Sequence, residues 1–432
     1  MKYKTLSVFS SALNSVLESN RADFIKDPKK HFTRNRTINL TNLILLLINS
    51  SKETLKDVLS NYYSLLGIAS PTPSALSHAK KKIKHEGLNM LAEALASDLL
   101  ITNKNNLNLY KGKYMLMAID GSKMTVPTRI DNFEDFIECN HRGEAVTRQV
   151  MISELYDPLN EIPLAISISK RNDEHTLAKE LIKKAYRIAP DYQKIFVFDR
   201  YYPSLEIIHY IEEIGACYVM RLNRRHFKNL YNPIGETGEK IAETSPPKAW
   251  CVKHKEIVEE RKGKKFKIRF AWFKISPKEK EVTITNLPED VTIDNLKELY
   301  WHRWGVETDY RHSKQRTHMD FFSGRRQEIV FQDIYSSFIS HMLTAFIILE
   351  CRKKVKKKTE KFKHEMKSNH ANAVRTVRQT GILILVYFKL KGCLKVLEEV
   401  YIDIISTIIP IRPGRQYPRS IKGTSKGDVY KF

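Results

Sequence analysis

Residues 109–222 read as three strands, then helix, strand, helix, strand, and few folds accept that order. Short apolar runs at 115–119, 146–155 and 162–169 suit strands, and turn-type residues at 157–160 join the second to the third. Residues 175–188 carry amphipathic helix spacing, 195–198 is a buried-type strand, 204–214 is a second helix capped by Ser204, and 217–222 is a fifth strand. Strands joined by tight turns form a meander, whereas strands reached through helices return parallel. One mixed sheet is therefore expected, with helices packed on it.

This order resembles the ribonuclease H-like topology. In that fold the first and fourth strands are neighbours. Asp120 and Asp199 each stand just past the end of one of them, so they are expected to face each other at the strand ends where α/β sites collect.

A helix-sized segment further on carries the rest of the chemistry. Tyr300, Arg303, Glu307 and Lys314 fall at offsets 0, 3, 7 and 14. At about 100° per residue on a continuous helix they share one face within about 60°. A carboxylate among cations suits a site that holds a metal and grips a phosphate; the plainer reading is a solvated face with an Arg303–Glu307 ion pair. Three converging carboxylates repel each other unless cations neutralise them. Hard divalent ions prefer oxygen ligands, and two of them about 4 Å apart activate a nucleophile and stabilise a leaving oxygen at a phosphodiester. Asp120, Asp199 and Glu307 are the expected metal ligands and catalytic residues, and two Mg²⁺ or Mn²⁺ ions the expected cofactors. His302, His312 and His318 lie near Glu307 but lack the His-Glu-x-x-His spacing of a zinc hydrolase.

At 432 residues the chain is too long for one ordinary core. Its net charge is +24, with basic clusters at 80–84, 221–228, 261–269, 352–363 and 412–426. A chain so charged repels itself unless a polyanion is near, which makes nucleic acid the leading partner. The five cysteines are widely spaced with no Cys-x-x-Cys pair, which points to a reducing compartment. No membrane contact is expected, since the apolar run at 382–388 is far below the roughly 20 residues a span needs.

Residues 1–108 read as a helical DNA-binding region. A turn with two prolines at 70–74 leads into a basic helix at 75–84, capped by Ser74, as in a DNA-reading helix pair. Residues 109–222 form the first part of the core, 223–290 a β-rich insertion and 291–350 the second part with the Glu307 helix. Residues 351–432 form a helical and basic C-terminal region, with a charge run at 352–363, an apolar helical stretch at 381–411 and an extended basic tail. The fold class is thus α/β: a ribonuclease H-like catalytic core interrupted by a β-rich insertion, with helical N-terminal and C-terminal regions.

With these residues in place, the chain resembles the DDE transposases of bacterial insertion sequences. The spacing Tyr300-x2-Arg303-x3-Glu307-x6-Lys314 is similar to the Tyr-Arg-Glu-Lys helix of insertion-sequence family four. The usual Asp-Arg-Gly-Tyr motif stands here as Asp199-Arg200-Tyr201-Tyr202, with Tyr201 in place of glycine. The resemblance implies that metal-bound carboxylates hydrolyse the phosphodiester at each transposon end and that the freed 3′ hydroxyl attacks target DNA. It implies that Tyr300, Arg303 and Lys314 hold the DNA end, with Arg200 and Arg311 as further phosphate contacts. The expected partner is double-stranded DNA, the expected assembly on it a homodimer, and the expected location the cytoplasm of a bacterium, on the nucleoid. Trp272, Trp301 and Trp304 are read as core residues before base-stacking ones. The competing readings are a nuclease that cuts without joining, and a DNA-binding derivative without catalysis.

Overall fold

The computed structural model describes residues 4–34, 36–50, 54–139, 146–223, 226–276, 279–378 and 393–412. Two compact units emerge: Met1–Leu107 with Lys123–Val150 and Tyr310–Phe432, and Asn108–Ser122 with Met151–Asp309.

The first unit is helical. Its N-terminal part runs α1 (Lys4–Ser19), α2 (Arg21–Phe24), α3 (Leu40–Asn49), α4 (Leu55–Leu65), α5 (Pro73–Lys80) and α6 (His85–Thr102). The cap of α5 is Thr72, not Ser74: its hydroxyl accepts the Ala75 N–H, and Pro73 takes the first helical position, where its missing N–H costs nothing. The expected basic face is also smaller than the sequence suggests. The helix ends at Lys80, and that lysine is 3% exposed. Its ammonium lies 2.9 Å from the Asp333 carboxylate and also bonds the Ser323 hydroxyl.

Breaking a buried ion pair from one side strands the other charge. Asp333→Leu is therefore expected to cost about 3–5 kcal/mol in urea unfolding, and Lys80→Met with Asp333→Leu together to recover most of that loss. A single substitution that unfolds at the wild-type midpoint would remove this pair from the account.

Strands follow in the order β1 (Tyr114–Thr125), β2 (Ile137–Cys139), β3 (Thr147–Asp157) and β4 (Ile162–Ser169). Then come α7 (Glu174–Ile188), β5 (Gln193–Phe198), α8 (Leu205–Glu213) and β6 (Cys217–Arg221). The sheet order is β2-β3-β1-β5-β6, with β4 also on β3. β3 and β4 are antiparallel; β1–β5 and β5–β6 are parallel. This is the ribonuclease H-like arrangement with one short extra strand, β2, on the first residues of β3.

The insertion holds β7 (Gly238–Thr244), α9 (Lys248–Lys253), α10 (Lys255–Arg261), β8 (Phe266–Ser276) and β9 (Glu279–Thr285). It does not stand apart from the core. β9 pairs antiparallel with β6, so β9, β8 and β7 extend the same sheet. Side chains fasten that seam, with the Asn286 carboxamide accepting from the Tyr218 N–H at 2.9 Å and donating to the Ala216 carbonyl at 3.1 Å.

Next come α11 (Ile293–His302) and α12 (Trp304–Arg316). α11 opens with a capping box between Thr292 and Asn295. Its Leu296, Leu299 and Tyr300 pack with Leu116 of β1, Ile195 and Val197 of β5 and Val219 of β6 in one buried cluster.

The chain closes with α13 (Gln327–Lys358), β10 (Met366–Ser368), α14 (His370–Thr376), α15 (Cys393–Ser406) and β11 (Ile408–Pro410), with β10 and β11 antiparallel. α13 absorbs the first half of the charge run expected at 352–363. Among the described residues it is the one helix long and apolar enough to cross a membrane, yet its apolar window is 83% buried against the protein itself. The apolar stretch expected at 381–411 falls partly outside the described residues, and the tail beyond Arg412 falls wholly outside them.

Candidate carboxylate site

The alternation of strand side chains explains where the acids meet. Leu116, Ile195 and Val197 face α11, and every second residue of a strand shares a face. Asp120 follows Leu116 by four positions, and Asp199 follows Ile195 by four, so both acids emerge on the α11 side. Register makes them level. Tyr114 pairs with Gln193 and Ala118 with Val197, a constant offset that, continued two residues past the last pair, brings Asp120 level with Asp199. Adjacent strands lie about 4.8 Å apart. Asp199 stands just past β5 as expected, whereas Asp120 lies inside β1, which runs on to Thr125.

Asp120-Gly121 is therefore not a turn. A β-carbon at Gly121 would lie 2.5 Å from Glu174 Oε1, so any side chain there displaces Glu174, the first residue of α7. A glycine inside a strand pattern is the sequence signal for such close approach. Glu174 is an acid that sequence reasoning missed; it accepts a hydrogen bond from the Tyr202 hydroxyl at 2.6 Å. The Asp199 carboxylate accepts the Tyr201 N–H at 2.7 Å, which closes the loop without the glycine usual there.

The helix expected to be continuous breaks at Arg303. Its N–H bonds the Tyr300 carbonyl, three residues back, and the Val306 N–H bonds the Arg303 carbonyl the same way. These tighter turns shift the phase, so that Tyr300 turns into the core while Arg303 and Glu307 still meet. Tyr300 is 6% exposed and part of the core cluster. Burial pushes its phenol up despite a hydrogen bond with Arg221. Arg303 is 4% exposed, with one guanidinium nitrogen 2.8 Å from Glu307 Oε1 and 3.8 Å from Asp120 Oδ2. Its Nε has no hydrogen-bond partner, and the guanidinium stacks 4.5 Å from the Trp304 ring. Asp120, Asp199, Glu307, Arg303 and Tyr300 all belong to the unit holding the parallel strands. Arg200, in that unit too, is exposed. Arg311 and Lys314 lie beyond Asp309, in the helical unit; Arg311 is exposed and the Lys314 ammonium bonds the Lys123 carbonyl at 3.1 Å. Trp272 is core at 6% exposure, but Trp301 and Trp304 are surface residues at 68% and 42%.

Two more acids lie beneath. Glu154 of β3 and Asp309 of α12 are 1% and 3% exposed. Burial and the hydrogen-bonded Asp309 carboxyl hold Glu154 well above the ordinary range, with Asp120 adding to it.

The site carries more negative charge than Arg303 offsets. Burial pushes the Asp120 carboxyl up to about 7; Arg303 and the Gly121 N–H oppose this, while Asp199 and Glu174 reinforce it. An Asp120 carboxyl that holds a proton this firmly is an oxygen donor suited to a divalent cation, which would replace the proton. Elsewhere, His85, Glu86 and Glu328 form one group, and His209, Glu213 and Glu260 another, with ligand atoms within 4.8 Å of one another that could chelate a divalent ion. Each is already closed by a His–Glu contact, at 3.0 Å and 2.8 Å, and neither includes the three acids above.

The raised value gives a pH prediction. The folded protein holds the Asp120 proton up to about 7, while an unperturbed carboxyl releases it at 3.8. Between those values the folded state binds more protons, so stability falls as pH rises and the loss is complete above 7. Urea unfolding without divalent ions at about pH 4, 6 and 8 should show that decline, and Asp120→Asn should flatten it. Parallel profiles for the two proteins would contradict the assignment.

No curated protein matches the chain. Among solved structures it is similar to a piggyBac transposase synaptic complex with hairpin DNA, determined by cryo-EM. The two share 8% identity at a TM-score of 0.48, over 93% of this chain and 85% of that one. Residues 111–343 match the family described as "Transposase DDE domain". That match spans β1 through most of α13 and takes in all three acids, so the chain belongs to the DDE-domain transposase family.

Proposed function

We propose that this chain is a transposase of the insertion-sequence family four type, with the Tyr-Arg-Glu-Lys helix as its subgroup mark. It would bind the ends of an insertion sequence, cut the phosphodiester bonds there and join the 3′ ends to target DNA. The observation that supports this reading is the parallel β1–β5 pairing, whose last pair Ala118↔Val197 lies two residues before Asp120 and Asp199, with Arg303 beside both Asp120 and Glu307.

Asp120, Asp199 and Glu307 would hold two Mg²⁺ or Mn²⁺ ions. Bound there, the ions would supply charge for the phosphate oxygens and lower the pKa of an attacking water. In the first reaction the oxygen of water forms a bond to phosphorus, the bond from phosphorus to the 3′ oxygen breaks, and that oxygen leaves as a hydroxyl. In the second, this hydroxyl attacks a target phosphodiester and the target's own 3′ oxygen leaves. Arg303, Lys314, Arg200 and Arg311 would hold phosphates. Arg303 suits a bidentate grip and Lys314 a point contact. Tyr300 works from beneath, its ring 5.7 Å from the Arg303 guanidinium.

The test is a strand-transfer assay on a short duplex carrying the repeat that flanks the coding region, with Mg²⁺ and a supercoiled target. Joined products are expected. Cleavage without joining would make the chain a nuclease, and binding without cleavage a non-catalytic derivative.

A further inference from the structure

Arg303 is a cation held between two carboxylates. Its guanidinium bridges Glu307 at 2.8 Å and Asp120 at 3.8 Å while 4% exposed. A buried charge normally satisfies every donor, yet this group leaves Nε without a partner. Buried and permanently charged, it is the cation that neutralises the acids before any ion arrives. A carboxylate oxygen engaged by a guanidinium is a poorer ligand, because the ion must break that bond before binding.

We propose that Arg303 is a built-in counter-cation that competes with the divalent ions for Asp120 and Glu307, and that metal loading releases it toward DNA phosphate. This rests on the reading above, in which those acids hold the ions. It gives Arg303 two successive partners, the protein's own carboxylates first and a phosphodiester second. Each step favours the other. An ion that takes the carboxylates frees the guanidinium, and a phosphate that takes the guanidinium frees the carboxylates, so the two affinities rise together by linkage. The break in the helix places Arg303 between α11 and α12 rather than inside either one. The half-exposed Trp304 ring, already stacked at 4.5 Å, offers the guanidinium an aromatic face nearer solvent.

The test titrates Mn²⁺ into the full chain without DNA and follows free Mn²⁺ by electron paramagnetic resonance. Arg303→Met keeps the length and removes the charge, and should bind Mn²⁺ about tenfold more tightly than wild type. Arg303→Lys, which keeps a charge but loses the fork, should fall between them. A second readout uses the wild-type protein alone, so it survives any folding defect in the variants. Phenylglyoxal modifies accessible arginine; Arg303 should be protected without metal and modified at saturating Mn²⁺, as read by peptide mass. An Arg303→Met protein that binds Mn²⁺ no more tightly, or an Arg303 equally protected with and without Mn²⁺, would overturn the proposal. The underlying reading fails differently: Asp120→Asn and Glu307→Gln would then leave the number of bound Mn²⁺ unchanged.

Discussion

Asp120→Asn, Asp199→Asn and Glu307→Gln should each reduce cleavage of end DNA by at least about a thousandfold while leaving DNA affinity within a few-fold. Charge stabilisation by a bound ion is worth several kcal/mol at the transition state, and about 4 kcal/mol corresponds to about a thousandfold in rate. The substitutions are nearly isosteric, so the β1–β5 register that sets the site should persist. Affinity should persist because the acids oppose phosphate rather than attract it. Glu307→Gln carries an added expectation. It removes the 2.8 Å partner of Arg303, so that guanidinium becomes more available and affinity should rise slightly. Cleavage should be read with a labelled duplex under single-turnover conditions. Any one variant that retains the wild-type rate removes that acid from the catalytic set.

Raising salt from about 50 to 200 mM should weaken DNA binding by about 10³ to 10⁵, the loss expected when six to ten phosphates are neutralised. The net charge of +24 motivates this, and the structure narrows which charges contribute. Lys80 is committed to Asp333 and Arg269 to Glu239. Arg269 is 4% exposed. Removing either should disturb folding before it alters the salt slope. Arg200 and Arg311 are exposed, and each substitution by alanine should lower the slope by about one. A binding constant that is flat across this salt range would show that the charge serves solubility instead.

The core was legible because its strands are short apolar runs bounded by turn residues, and its helices are amphipathic. Residues 162–169 and 204–214 illustrate this: the first is β4, and the second is α8 with Ser204 as its cap. β7 was missed because it lies at the sheet edge with most residues exposed, and Gly238–Thr244 carries no apolar alternation. The break at Arg303 left only a weak mark, Gly305 two residues on, because a lone glycine inside a helical pattern is tolerated. Nor could periodicity reveal Glu154 and Asp309, because an acid on a pattern reads as a solvated position, and only tertiary packing turns it inward. Trp301 and Trp304 erred the other way: their size suggested core, but they lie on the outer face of their helices. Each of the two aspartates follows an apolar run in the sequence, although β1 continues past Asp120 to Thr125. Their alignment came from register, which no single strand carries.

The seam between β6 and β9 sets a limit on truncation. Excising residues 223–290 to obtain a minimal nuclease would leave β6 with a row of unpaired N–H and carbonyl groups from Val219 to Arg221. An uncovered apolar edge invites pairing with a second chain. The trimmed protein should therefore polymerise edge to edge rather than remain dispersed, and the insertion acts as a permanent guard against self-association of the sheet it completes.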